Sequence, residues 1–144
     1  MSGEEVRAFL AEKMVMQCAT NGPRGLPHMV ALWFVADGGG LRSWTYAKSQ
    51  KARNLERDPR ATLGLEDGVQ YHELRGVMFE CDVQLDRDPA RVEKVGLELF
   101  ARYAGDLNDE IRTMVAKQAQ KRIGLTFVPT RTVTWDHRKL HGSY

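Results

Sequence analysis

The sequence predicts a mainly β domain with peripheral helices, a small closed or partly closed barrel carrying its helices outside. Three observations predict it. Strand-like runs follow one another through short turns rich in Gly, Pro and Asp, as hairpins do. No long alternation of strand and helix appears, which excludes a doubly wound parallel sheet. The chain of 144 residues is 42% hydrophobic and 28% charged, the composition of one globular domain, 1–144, with a core of its own.

The elements follow in order. Ser2 and Glu5 stand in a capping-box pattern, and Val6, Phe9, Leu10 and Met14 recur at helical spacing, so a short helix opens the chain. Residues 14–20 read as a strand closed by the turn Asn21-Gly22-Pro23-Arg24-Gly25. Residues 27–36 read as a second strand, rich in β-formers and apolar throughout. Asp37-Gly38-Gly39-Gly40 is a hairpin loop, because glycines admit positive φ. A third strand covers 41–47. Ser49 is an N-cap for a helix over 50–57, which Asp58-Pro59 stops. Strands over 61–66 and 73–85 are joined through Asp67-Gly68. Asp88-Pro89 starts a helix with proline in its first turn and an apolar stripe of Val92, Val95, Leu99 and Tyr103. Ala104-Gly105-Asp106 breaks it. Asn108 caps a further helix carrying Ile111, Met114, Val115 and Ala119. Strands over 122–128 and 131–135, separated by Pro129, end the fold before a polar tail, 136–144. The total is about seven strands and three or four helices.

Composition excludes several functions. Lys plus Arg number 21 against 19 Asp plus Glu, a net of +2, too even for a dedicated nucleic-acid binder. Cys18 and Cys81 form no CxxC pair, and His137 with His141 has no third ligand nearby, so no metal site is expected. Unpaired cysteines suit a reducing compartment, the cytoplasm. The start Ser2-Gly3-Glu4-Glu5 is acidic where a secretory signal is basic. The longest apolar run, 30–36, is far shorter than the ~20 residues that span a bilayer. No phosphate loop, nucleophile elbow or HExxH zinc motif occurs.

The chemistry concentrates between Trp44 and Leu55. A strand runs into the Ser49-capped helix, and Lys48, Lys51 and Arg53 crowd its first turn. Cations there oppose the helix dipole. Free backbone N–H groups together with cations make a site for phosphate or another anion; the alternative is a solvated basic face. Trp33, Trp44 and Tyr46 are flat side chains beside this turn. They suit an aromatic cofactor with a phosphate tail, or they fill the core. The loop pair Tyr71-His72 could reach a substrate or be mere surface.

The run Trp44 to Leu55, continued by Asp58-Pro59-Arg60-Ala61, resembles the cofactor-binding segment of the pyridoxamine 5′-phosphate oxidase-like split β-barrels. Ala47-Lys48-Ser49-Gln50-Lys51, Asn54-Leu55, Leu65-Glu66-Asp67-Gly68, Leu74-Arg75-Gly76-Val77 and the ending Thr134-Trp135-Asp136-His137-Arg138-Lys139-Leu140 are similar to the B group of flavin/deazaflavin oxidoreductases, an actinobacterial set. The resemblance covers the whole chain in order. It implies an FMN-binding-like split barrel acting as a homodimer, with a cofactor at each interface. The implied cofactor is the deazaflavin coenzyme F420, with FMN as the alternative. Lys48, Ser49, Gln50 and Lys51 are then expected at its phosphate with Asn54 nearby, Trp44 and Thr45 on the strand that touches it, and His28 and Val30 flanking its ring. The oxidase branch typically carries Arg at the positions of His28 and Gln50 and has a C-terminal segment this chain lacks, which turns the reading away from pyridoxamine phosphate oxidation. The implied activity is hydride transfer from the reduced deazaflavin to an unsaturated small molecule. An FMN-dependent reductase of the same fold and a non-catalytic deazaflavin carrier are the alternatives. No catalytic residue is assigned, since Tyr46, His72 or water could each supply a proton. The tail around Trp135 is expected against the partner subunit.

Overall fold

A computed structural model describes residues 1–143. In chain order the elements are α1 (Gly3–Glu12), β1 (Met16–Asn21), β2 (Pro27–Leu32), β3 (Val35–Asp37), β4 (Gly40–Tyr46), α2 (Gln50–Arg57), β5 (Arg60–Asp67), β6 (Arg75–Asp86), α3 (Pro89–Ala104), α4 (Asp109–Ala119) and β7 (Arg122–Asp136), with short 3-10 turns at Tyr71–Glu73 and His137–Lys139. The fold is mostly β: seven antiparallel strands in one sheet, ordered β2-β1-β5-β6-β7-β4-β3. The local signals explain the helices. Ser2 and Glu5 complete the expected capping box. Ser49, Asp88 and Asn108 each accept a hydrogen bond from the backbone N–H three residues on.

Two differences from the sequence reading are larger than a shift of one or two residues at a strand end. The apolar run 27–36 is not one strand. It breaks at Trp33-Phe34 into β2 and β3, which occupy opposite edges of the sheet. The three steps from Leu32 to Val35 span at most about 11 Å, so the edges must come together and the sheet must roll into a barrel. Phe34 turns fully inward there. Its N–H donates to Tyr103 Oη at 3.0 Å, and Tyr103 donates back to its carbonyl at 2.9 Å. Arg102 donates to the carbonyls of Phe34, Leu10 and Lys13 at 2.6, 2.8 and 2.6 Å. The end of α3 therefore fastens the seam to α1.

Conversely, the two strands expected around Pro129 are one, β7, of 15 residues. Proline cannot donate to a ladder, so a central strand tolerates it only at an irregularity. The register supplies one: Glu80 pairs with Arg131 but Cys81 with Pro129, leaving Thr130 over.

The core lies on both sides of the curled sheet. Inside, Met16, Leu63, Val77, Leu125 and Phe127 are closed off by Phe9 of α1 and Leu55 of α2. Outside β4, Trp44 packs with Val92 and Leu99 of α3 and Val115 of α4. Gly96 permits this contact, because a Cβ there would run into the Trp44 ring.

Candidate functional site

The turn between β4 and α2 is built from short-range bonds. Ser49 Oγ accepts from the Ala52 N–H at 3.1 Å and lies 3.3 Å from Thr45 Oγ1. The first-turn N–H groups of Gln50 and Lys51 have no intrahelical acceptor, as at any helix start. Ala47 N–H donates to the Lys121 carbonyl at 2.9 Å, which lays the start of β7 beside the turn.

Lys51 does not lie on the surface. Its side chain runs under the helix, the residue is 6% exposed, and Nζ donates to Thr45 Oγ1 at 2.8 Å. Burial holds its ammonium below the ordinary lysine range, and the like charge of Arg122 pushes the same way. Cys18, across the barrel end on β1, has its thiol pushed up to about 11 by burial. Lys48 is exposed at the mouth of the turn.

Asn54 is wholly buried. It accepts from Gln50 Nε2 at 2.7 Å and donates to Thr20 Oγ1 at 3.0 Å. It ties α2 to β1 and fixes the side chain of Gln50. His28 and Val30 sit on β2 opposite Thr20 and Cys18, on the inward face of that edge. His28 and Gln50 line one cavity of about 240 Å³. Thus Thr45, Ser49, Lys51, Asn54, Gln50 and His28 gather at one end of the barrel.

Trp44 does not join them. Alternation along β4 sends it to the outer face, into the contact with α3 and α4. Tyr71 and His72 lie on a 3-10 turn at the β5–β6 connection, where His137 Nδ1 meets the Tyr71 carbonyl at 2.8 Å. The tail folds onto its own chain: Lys139 pairs with Glu5 at 2.6 Å, and the Met1 ammonium donates to Thr134 Oγ1 at 2.9 Å. Trp135 covers Gly76, where a Cβ would strike its ring.

One cation near the turn escaped the sequence. Arg122 is the register partner of Tyr46 on β4, and its guanidinium lies over the rings of Trp44 and Tyr46, 4.8 and 5.5 Å from their centroids. Its side-chain bond goes to Gln118, at 3.4 Å. Among the described residues, Lys48, Lys51, Lys121 and Arg122 have no carboxylate within ion-pair distance. The dipeptide Lys121-Arg122 was the available signal, and only the β4–β7 pairing brings it here. Uncompensated cations at a helix start with open N–H groups can hold a phosphate. Among the described residues no group of three or more His, Cys, Asp or Glu side chains is placed to hold a metal, and no helix is long and apolar enough to cross a membrane.

The comparisons with known proteins bear on the family and the fold. Residues 2–136 match the family description of pyridoxamine 5′-phosphate oxidase. A conserved hypothetical protein from Mycobacterium tuberculosis has a similar structure, with 42% identity, a TM-score of 0.90, and coverage of 100% of this chain and 90% of that one. An F420 reductase is similar at 26% identity and a TM-score of 0.72, covering 88% of this chain and 94% of that one. A heme storage protein from Vibrio cholerae matches at 21% identity and a TM-score of 0.72, over 93% of both chains, and shares the fold. No curated protein matches.

Proposed function

This chain belongs to the pyridoxamine 5′-phosphate oxidase family, and on that premise we propose that it is a coenzyme F420-dependent oxidoreductase that reduces an unsaturated small molecule. The observation that carries the reading is the set of cations at the β4–α2 turn with no carboxylate among the described residues, one of them buried. A buried charge without a counter-ion is costly, so its retention fits a site whose ligand brings the negative charge. The likeness to an F420 reductase at 26% identity favours a deazaflavin. FMN carries less negative charge and remains the alternative cofactor.

In this reading the Lys48, Ser49, Gln50 and Lys51 segment holds the phosphate, with Arg122 adding charge from β7. Asn54 and Thr45 set the positions of Gln50 and Lys51. His28 and Val30 flank the ring. When bound, a reduced deazaflavin supplies a hydride; the protein binds it, orients it and shields one face. The site works in a homodimer in the cytoplasm.

A titration of the purified protein with coenzyme F420 and with FMN tests this, followed by absorbance assays of the reduced deazaflavin against unsaturated acceptors. Tighter F420 binding and acceptor-dependent reoxidation are expected. Tighter FMN binding would move the assignment to the FMN reductase. Binding without turnover of any acceptor would leave a carrier.

A further inference from the structure

A groove runs between α1 and the β3–β4 hairpin, away from the cofactor turn. The hairpin stands at the start of β4, and the Lys48 turn follows its end. The seven residues of β4 set the two about 20 Å apart. The groove has a volume of about 470 Å³, within the range of small-molecule sites. Its walls are Leu10 and Ala11 of α1 with Val35 and Ala36 of β3. A second space of about 290 Å³ adjoins it, sharing Leu10, Ala36, Asp37 and Gly38 and adding Val6, Phe79 and Val128. The apolar floor therefore continues past the hairpin.

The charges over this floor are unbalanced. Arg7 and Arg102 both line the groove. Among the described residues neither has a carboxylate within ion-pair distance. Arg102 donates from its two Nη atoms to the carbonyls of Phe34, Leu10 and Lys13 and to Tyr103 Oη, all neutral acceptors. Those bonds fix the guanidinium and leave its charge unanswered. Asp37 is the one carboxylate among the described lining residues, and it is already engaged. One oxygen meets Arg42 at 3.2 Å and the other accepts from the Gly39 N–H at 2.8 Å. Arg7 is exposed on α1, one turn before Ala11 on the same helix face.

Two cations above apolar walls complement a molecule with one anionic end and an apolar body. A bare anion would leave the walls in water, and a neutral hydrocarbon would leave the charges unpaired. We propose that this groove binds an amphipathic carboxylate, its anionic end on Arg7 in the field of Arg102 and its apolar body along Leu10, Ala11, Val35 and Ala36. The site is separate from the cofactor turn, and the proposal does not depend on the oxidoreductase reading.

The test follows the alanine methyl groups of the full-length protein by NMR as octanoate, octanol and acetate are added. Octanoate is expected to shift the methyls of Ala11 and Ala36 and to leave those of Ala47 and Ala52, at the β4–α2 turn, in place. Octanol lacks the charge and acetate lacks the apolar body, so both are expected to bind at least fivefold more weakly. Arg7→Gln, on the exposed face of α1, is expected to weaken octanoate about tenfold, the scale of a charge-assisted hydrogen bond, and to leave octanol unchanged. Ala11→Glu, which sets a carboxylate in the groove, is expected to abolish the octanoate response. Coenzyme F420 affinity is expected to be the same in Arg7→Gln as in the parent. Silent Ala11 and Ala36 methyls, octanoate no tighter than octanol, or an unchanged octanoate affinity in Arg7→Gln would overturn the proposal. Octanoate shifts confined to Ala47 and Ala52, or a loss of F420 affinity in Arg7→Gln, would overturn the separate site.

Discussion

Lys51 is a buried cation whose charge bears on stability, and its proposed place at the cofactor phosphate can be tested through that charge. A lysine whose folded pKa lies below its ordinary 10.5 makes the protein less stable while both folded and unfolded states are protonated. That penalty fades as pH rises through the folded value toward 10.5, and is gone above it. Lys51→Met keeps the buried volume and removes the charge; truncation to alanine would add a cavity cost of its own. The methionine variant is expected to bind F420 at least tenfold more weakly, by fluorescence titration, while its urea midpoint at pH 7 stays level or rises. Its stability advantage should shrink between neutral and strongly alkaline pH. An unchanged F420 affinity would remove Lys51 from the site. The sequence disclosed this lysine as a cation near a helix start, because Ser49 is a local signal. It could not disclose that Lys51 shares the inward face of α2 with Ala52 and Leu55, since a lysine stem packs like an apolar chain. Arg122 was invisible for another reason: it comes near this turn only through the pairing of β7 with β4.

At the scale of elements, legibility follows the range of the signal. The bounds of α2 match the reading at both ends because Ser49 and Asp58-Pro59 act within a turn. The break at Trp33-Phe34 has no local marker, since every residue from 30 to 36 is apolar. It exists because Tyr103 and Arg102, far along the chain, hold Phe34. Pro129 misled in the opposite sense, as the bulge opposite Glu80 absorbs its missing N–H. The end of β7 offers a measurable case. The Asp136 side chain is 3% exposed and accepts from Arg138 Nε and Nη2 at 2.8 and 2.7 Å. That pairing lowers its carboxyl from 3.8 to about 2. A depressed carboxylate stabilises the fold at every pH above its ordinary value, and the contribution is lost as pH falls through the folded one. Asp136→Asn should therefore be less stable than the parent by a constant margin from pH 5 upward, by about 1–3 kcal/mol. The margin should narrow below pH 4 and close near pH 2. Urea midpoints measured across that range check it, and a margin that stays flat into acid would discount the Arg138 pairing.

At the scale of the whole molecule, the barrel leaves one edge strand with an exposed outer face and only a half-buried inner one. Along β2 no residue is buried, although its inward face holds His28 and Val30. Leu26, Met29 and Trp33 along and beside it are 67%, 66% and 44% exposed. Large apolar side chains clustered on one edge of a folded chain mark an interface, because each Å² of apolar surface left in water forfeits about 25 cal/mol. A second copy of the chain is the expected cover, as the fold resemblance implies. The protein should then scatter light at about twice its 16.3 kDa at micromolar concentration. Met29→Glu places a charge on that edge in each copy, and is expected to give a 16.3 kDa particle whose circular dichroism matches the parent. Because His28 neighbours Met29 on the same strand, a monomeric Met29→Glu should also lose F420 affinity if the site is shared between copies. Parent protein that already runs as a 16.3 kDa monomer would remove the dimer and leave the whole site to a single chain.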